Sequence, residues 1–213
     1  MKTEELIETL AANLQPISSF ALHRRLLMAA AAGVAVTLAI IAFGYGWRED
    51  LAAALAGWPF WRKMTFTLAV ALLGLWAAFR ASRPGLDAVP RALWMLAPFS
   101  AIAGLALVEL ATLDASERRG TWLGQTWQSC PWSILALSVP VLIALLLAMR
   151  RLAPTRPAIA GLVAGFASGG LAATVYGLHC PEWAASFVAT WYALGILASG
   201  VLGAVIGRRM LRW

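Results

Sequence analysis

Apolar residues along this chain fall into six long stretches separated by short polar segments. Each stretch has about 20 residues, enough for a helix to cross the hydrocarbon core of a bilayer. The six predicted spans are Leu26–Tyr45, Met64–Ala81, Leu93–Leu113, Trp132–Met149, Ala158–Gly177 and Ala184–Ile206. A bilayer offers no partner to an unpaired backbone, and the stretches lack the alternation of barrel strands. We therefore predict an all-α membrane protein with a six-transmembrane helical bundle at residues 26–213.

Lysine and arginine are distributed unequally between the two ends of these spans. Twelve lie in the N-terminal segment, the second and fourth connections and the C-terminal segment, and five lie in the other connections. The positive-inside rule places the richer side in the cytoplasm, with both termini. Tryptophans lie near the span ends on the opposite side, as in an interfacial aromatic belt, and this placement agrees with the predicted orientation. They are Trp47, Trp58, Trp61, Trp122, Trp127, Trp132 and Trp183.

Composition excludes several classes of protein. Apolar residues make up 61% of the chain and charged residues 13%, about half the charged share of a soluble domain. The net charge of +7 comes from short clusters beside the spans, a pattern of membrane topology and not of nucleic-acid binding. The segments outside the spans are too small for an independent catalytic domain. We therefore predict neither enzyme activity nor direct nucleic-acid binding.

The spans contain few polar groups but many small ones. Glu109 is the one ionisable residue predicted inside a span, near its outer end, where it is expected to reach water. Small residues four apart favour a tight hairpin of spans five and six, or a homo-oligomer through the same glycine-rich faces. They are Gly161, Gly165, Gly169, Gly195, Ser199, Gly203 and Gly207.

The only two cysteines, Cys130 and Cys180, each precede a proline at the predicted outer start of a span. A thiol at a helix N-terminus favours the thiolate, which oxidises or binds soft metals. Three interpretations remain open: small core residues, a permanent disulfide, or a switchable thiol pair. The third could take up a transient soft metal ion with His179 as an extra ligand. No resident cofactor is predicted, and the spacing excludes a zinc finger.

The N-terminal residues 1–25 predict a cytoplasmic segment that contains a short amphipathic helix. Apolar side chains recur at helical spacing, and glutamates lie in the first two turns. The apolar residues are Leu6, Ile7, Leu10 and Leu14, and the acidic ones are Glu4, Glu5 and Glu8. An acidic helix suits a partner protein's groove better than the anionic leaflet, although packing on the protein's own loops is the alternative.

The chain resembles the NrsF family of membrane anti-sigma factors. The resemblance rests on the opening MKTEELIETLAANLQP, the segment TWQSCPWSILALSVP and the long segment RRLAPTRPAIAGLVAGFASGGLAATVYGLHCPE. It implies a negative regulator of an extracytoplasmic-function sigma factor in the bacterial inner membrane. It further implies release of that sigma factor under heavy-metal or oxidative stress, sensed by Cys130 and Cys180.

Two other functions are weighed against this one. A small transporter or channel for a metal ion would use Glu109, His179 and the cysteines, but few polar residues line a route through the spans. A membrane thiol oxidoreductase would need a vicinal dithiol motif, which the sequence lacks. The anti-sigma factor is therefore the function we expect.

Overall fold

The computed structural model describes residues 19–83, 89–150, 152 and 154–212. Within these ranges the regular secondary structure is helical, and six helices are long and apolar enough to span a membrane. We number these spans 1 to 6: Leu22–Tyr45, Trp58–Ala81, Val89–Thr112, Cys130–Arg150, Pro157–Tyr176 and Ala185–Met210. The prediction of a six-span membrane protein is confirmed. The predicted docking helix, with Leu6, Ile7, Leu10, Leu14, Glu4, Glu5 and Glu8, lies outside the described residues.

Span 2 begins six residues earlier than the sequence predicts. Its helix starts at Trp58, because Pro59 takes one of the first helical positions, where its fixed φ angle and missing N–H suit a helix start. Arg62 and Lys63 are therefore part of the helix. The assignment of both residues to the preceding loop was wrong.

Span 5 lies at the centre of the bundle, and span 3 lies at its edge. In the most apolar part of span 5, 67% of the residues are buried, whereas in the most apolar part of span 3 only 17% are buried. Span 5 packs against spans 2, 4 and 6, and span 1 packs mainly against span 4. The buried side chains form two apolar clusters, one towards each end of the bundle.

Small residues bring spans 5 and 6 into backbone contact. A Cβ atom at Gly161 would collide with the carbonyl oxygen of Gly203, and one at Gly207 would lie 2.6 Å from the Gly161 Cα. Glycine is needed because the two backbones occupy the space of a side chain. The predicted tight hairpin is confirmed, whereas self-association through these faces stays a prediction.

The connections at 46–57, 113–129 and 177–184 meet at one end of the bundle, which we call the cysteine face. The Arg48 N–H donates to the Leu178 carbonyl at 3.3 Å, and the Trp191 indole N–H donates to the Trp122 carbonyl at 3.0 Å. The Gln125 N–H donates to a carboxylate oxygen of Glu182 at 2.6 Å. These bonds join all three connections, so the cysteine face is one packed layer.

Candidate functional site

The cysteine of span 4 lies where the sequence predicts it. Cys130 is the first residue of the helix, and its N–H donates to the Thr126 carbonyl at 2.9 Å. Pro131 follows, and its missing N–H leaves no unpaired donor at the helix start. The Cys130 side chain is fully buried.

The second cysteine has a different backbone setting from the one predicted. Cys180 lies in an irregular segment after span 5, and its N–H donates to the Tyr176 carbonyl at 2.9 Å. The last helix begins at Ala185, so Cys180 and Pro181 do not form a helix start. The expectation that a helix N-terminus favours the Cys180 thiolate was therefore wrong, because that helix starts five residues later.

The two cysteines nevertheless meet. Both are free thiols, both are fully buried, and both belong to the apolar cluster of the cysteine face. A hydrogen bond from the Cys130 thiol lowers the pKa of Cys180, although burial opposes this effect. The nearby Lys63 ammonium lowers the pKa of Cys180 further. Residues 50 positions apart therefore form one dithiol.

Lys63 is the site residue that the sequence analysis missed. Its side chain is fully buried, and its Nζ donates to the carbonyl oxygens of Cys180 at 3.0 Å and of Glu182 at 2.9 Å. The ammonium also lies 5.5 Å from the centre of the Tyr192 ring. The proline near the start of span 2 was the signal that could have placed this lysine inside the helix.

Hydroxyl groups complete the surroundings of the thiols. The Thr126 Oγ1 lies 3.7 Å from the Cys180 Sγ, within hydrogen-bond reach of sulfur. The Tyr192 side chain is fully buried near Cys180, and its hydroxyl has no hydrogen-bond partner among the described residues. The Cys180 sulfur therefore has polar groups as well as apolar side chains for neighbours.

His179 is held by a different element. Its Nδ1 lies 2.9 Å from the Gly46 carbonyl oxygen, and its ring contacts those of Tyr45 and Tyr176. A carbonyl oxygen only accepts hydrogen bonds, so Nδ1 carries the proton and Nε2 is left as an acceptor. In the described ranges no three His, Cys, Asp or Glu side chains are grouped as metal ligands. The metal role of Cys130, Cys180 and His179 stays a prediction.

Glu109 contacts the segment that follows Cys180. Its carboxylate accepts the N–H groups of Ala185 and Ser186, at 3.0 and 2.7 Å, and lies 3.7 Å from the Arg62 guanidinium. The prediction of a solvated residue at a helix end missed this role, because the partners come from span 6 and not from neighbouring residues. Glu109 joins the peripheral span 3 to the start of span 6.

The fold and this site define a class of protein. Six spans enclose a buried dithiol at one end, and the short connections of the described part hold no independent catalytic domain, as in a multi-pass membrane regulator. A profile of the NrsF family, described as negative regulator of sigma F, matches residues 10–213. The chain belongs to the NrsF family, and it is a non-enzymatic membrane anti-sigma factor.

Individual relatives support the same family. The chain is 42% identical over 216 residues to the probable anti-sigma-F factor NrsF of Azospira oryzae (strain ATCC BAA-33 / DSM 13638 / PS). It is 41% identical over 220 residues to the anti-sigma-F factor NrsF of Caulobacter vibrioides (strain NA1000 / CB15N). Each alignment covers 100% of both chains. No solved structure matches this chain.

Proposed function

We propose that this protein holds a sigma-F-type extracytoplasmic-function sigma factor at the bacterial inner membrane and releases it under heavy-metal or oxidative stress. The cysteine face is its periplasmic sensor, and both termini are cytoplasmic. The observation that carries the sensing role is the buried contact between Cys130 and Cys180 at one end of the bundle. Two anti-sigma-F factors are 42% and 41% identical to this chain over its full length, and their names support a sigma-F-type factor as the partner.

The sensing chemistry is available to a dithiol. A soft divalent cation takes both sulfurs as thiolate ligands, and the thiol protons go to solvent. Alternatively, a peroxide accepts two electrons from the pair: an S–S bond forms, the O–O bond breaks, and two waters carry the thiol protons. Either event joins the start of span 4 to the segment between spans 5 and 6 by a new bond.

The free energies are of the right size for a switch. Reversing a 1:99 equilibrium takes about 5.5 kcal/mol of differential stabilisation. One crosslink supplies about 2–4 kcal/mol. A dithiol reaction can therefore change the held fraction of sigma factor substantially.

The cytoplasmic half of the proposal concerns the N-terminal segment 1–25. Its apolar face, formed by Leu6, Ile7, Leu10 and Leu14, binds and masks the sigma factor, with Glu4, Glu5 and Glu8 at the rim. A helix of this length is marginal in water and folds on its partner. An acidic rim fits a basic partner surface.

A sigma-F-dependent reporter in cells that contain the protein tests both halves. We expect Cys130→Ser and Cys180→Ser to retain repression and to lose induction by cadmium or peroxide. Unchanged induction in the double variant contradicts the sensing role. Deletion of residues 1–25 should abolish repression and co-purification of the sigma factor. Retained binding after this deletion contradicts the docking role.

A further inference from the structure

The Glu182 side chain joins the two segments that carry the cysteines. Its carboxylate accepts the Gln125 N–H at 2.6 Å, and a Cβ atom at Gly124 would lie only 2.6 Å from one of its oxygens. Gly124 also has a φ angle of +56°, a positive value that favours glycine. The backbone at the start of the turn 124–129 is therefore shaped to receive this carboxylate. We call the contact of Gln125 with Glu182 the latch.

The residues next to the latch contact the dithiol. Thr126, which follows Gln125, has its Oγ1 3.7 Å from the Cys180 sulfur, and its carbonyl accepts the Cys130 N–H at 2.9 Å. Both cysteine side chains are fully buried, so a solute in water does not reach either sulfur in this arrangement. The proposed sensing chemistry requires contact with a metal ion or a peroxide. The two segments must therefore separate locally before the dithiol reacts.

A surface cavity of about 720 Å³ ends at the latch. Its lining includes Gly124, Gln125 and Glu182, whereas the buried Cys130 and Cys180 do not reach it. The latch is therefore part of the wall that separates the cavity from the thiols. A small solute that enters the cavity is close to the dithiol but is stopped at this wall.

Other contacts attach the two segments to different spans. The Lys63 Nζ donates to the backbone carbonyl of Glu182 at 2.9 Å and so holds the Cys180 segment on span 2. The Trp127 ring packs on the Trp191 ring, with 5.3 Å between their centres, and so holds the turn 124–129 on span 6. Loss of the latch therefore lets the two segments move apart without detaching either one from the bundle.

We propose that the Glu182 carboxylate controls access to the dithiol. Bound to Gln125, it closes the wall of the cavity; released, it lets a small polar solute such as a soft metal ion or a peroxide reach the two sulfurs. The inference rests on the proposed sensing function and adds how that site is regulated. Glu182 is a positioning residue, because it acts on the approach of the solute and not on a sulfur atom.

Alkylation of the thiols by iodoacetamide tests this proposal, because the reagent is small, polar and uncharged. The full-length protein is purified in detergent with both cysteines reduced, and its modification over time is followed by mass spectrometry of the intact chain. Labelling in denaturant gives the rate of exposed thiols, and the folded wild type should react far more slowly. We expect Glu182→Gln to react about three- to tenfold faster than the folded wild type, because one charge-assisted hydrogen bond near the surface is lost.

Two further variants break the latch and keep the charge. Glu182→Asp shortens the side chain by one methylene group, and Gly124→Ala places a Cβ atom against the carboxylate. Both should speed labelling as Glu182→Gln does. Glu49→Gln is the matched control: it removes an exposed carboxylate of the cysteine face that has no hydrogen bond or ion pair among the described residues, and it should label like the wild type.

Gly161→Ala separates local opening from global unfolding. It weakens the contact of spans 5 and 6, so it should lower the midpoint of thermal unfolding and leave the labelling rate of the folded protein unchanged. An equal acceleration in Gly161→Ala and Glu182→Gln overturns the proposal, because the thiols then react through opening of the whole bundle.

Three other results also overturn it. Folded wild type that labels as fast as the denatured chain shows that the latch closes nothing, and unchanged labelling in Glu182→Gln shows the same. Acceleration in Glu182→Gln without acceleration in Glu182→Asp shows an effect of charge on the thiols, a comparison that stands even if Gly124→Ala does not fold. No sigma factor or inducer is present in this experiment, so its failure leaves the sensing role standing, and failed induction leaves the labelling result standing.

Discussion

Glu109 in span 3 caps the first turn of span 6 through Ser186. One carboxylate oxygen accepts both the backbone N–H and the hydroxyl of Ser186, at 2.7 and 2.8 Å. The other accepts the Ala185 N–H at 3.0 Å. A span that is otherwise peripheral is thereby joined to the helix that follows the cysteine segment. A negative charge at a helix N-terminus is stabilised by the helix dipole.

We expect Glu109→Gln to destabilise the protein by about 1–2 kcal/mol, because the amide loses the charge and one of its acceptor positions. Thermal unfolding in detergent, followed by circular dichroism, measures the change. Glu117→Gln, an exposed residue in the first turn of the helix Ala115–Leu123, is the matched control and should lower the midpoint much less, because it loses only a solvent-screened attraction to the helix dipole. Equal midpoints for both variants would contradict the capping role.

Two glycine-to-alanine substitutions should change the stability in opposite directions, one at the contact of spans 5 and 6 and the other in span 3. Gly161→Ala places a methyl group against the Gly203 carbonyl and should destabilise by about 1–3 kcal/mol. Gly104→Ala meets open space within span 3 and should stabilise by about 0.5–1 kcal/mol, through helix propensity alone. Midpoints of thermal unfolding compare the two. A tolerated Gly161→Ala would show that the hairpin packs less closely.

The dithiol predicts a pH dependence of stability. The folded-state pKa of Cys180 is lowered from 9.0 to about 6 by the Cys130 hydrogen bond and Lys63, against the effect of burial. Folding therefore favours the thiolate, and this contribution is complete above pH 9 and is lost as the pH falls through about 6.

We expect the difference in unfolding midpoint between wild type and Cys180→Ser to shrink on acidification across that range. Ser129→Ala provides a pH-independent comparison on the exposed side of the same turn. A difference that grows on acidification would show that Cys180 is a buried neutral thiol.

The N-terminal docking face predicts a position-specific loss of repression. Leu10→Glu places a charge in the centre of the apolar face and should release the sigma factor, with the reporter rising towards the level of the deletion strain. Ala12→Glu adds the same charge to the opposite face of the predicted helix and should retain repression. Comparable reporter levels in the two variants would argue against helical docking.

The proposed topology predicts the result of reporter fusions. Alkaline phosphatase folds only after export, so a fusion after Glu117 should be active and a fusion after Arg212 inactive. Green fluorescent protein at the same positions should give the opposite pattern. An active enzyme at Arg212 would invert the orientation and place the thiols in the cytoplasm.

The sequence alone determined the membrane class, the number of spans and the presence of both cysteines at one end. These follow from the one-dimensional pattern, since a run of about 20 apolar residues in a bilayer has to be a helix. Two crossings, spans 2 and 3, separate residue 46 from residue 130, and two more, spans 4 and 5, separate residue 130 from residue 180, so all three positions lie at the same end. Glycine spacing in spans 5 and 6 likewise predicted their close packing.

Tertiary structure decided the chemistry of the site. Lys63, Cys130 and Cys180 come from three separate parts of the chain, and no spacing rule relates them. Whether a lysine near a span end reaches water or turns inward depends on which carbonyl oxygens lie above it, and here those belong to Cys180 and Glu182. The same holds for Glu109, whose partners begin 76 residues away. The ionisation and reactivity of a thiol depend on its neighbours in space, and only the folded bundle brings these neighbours together.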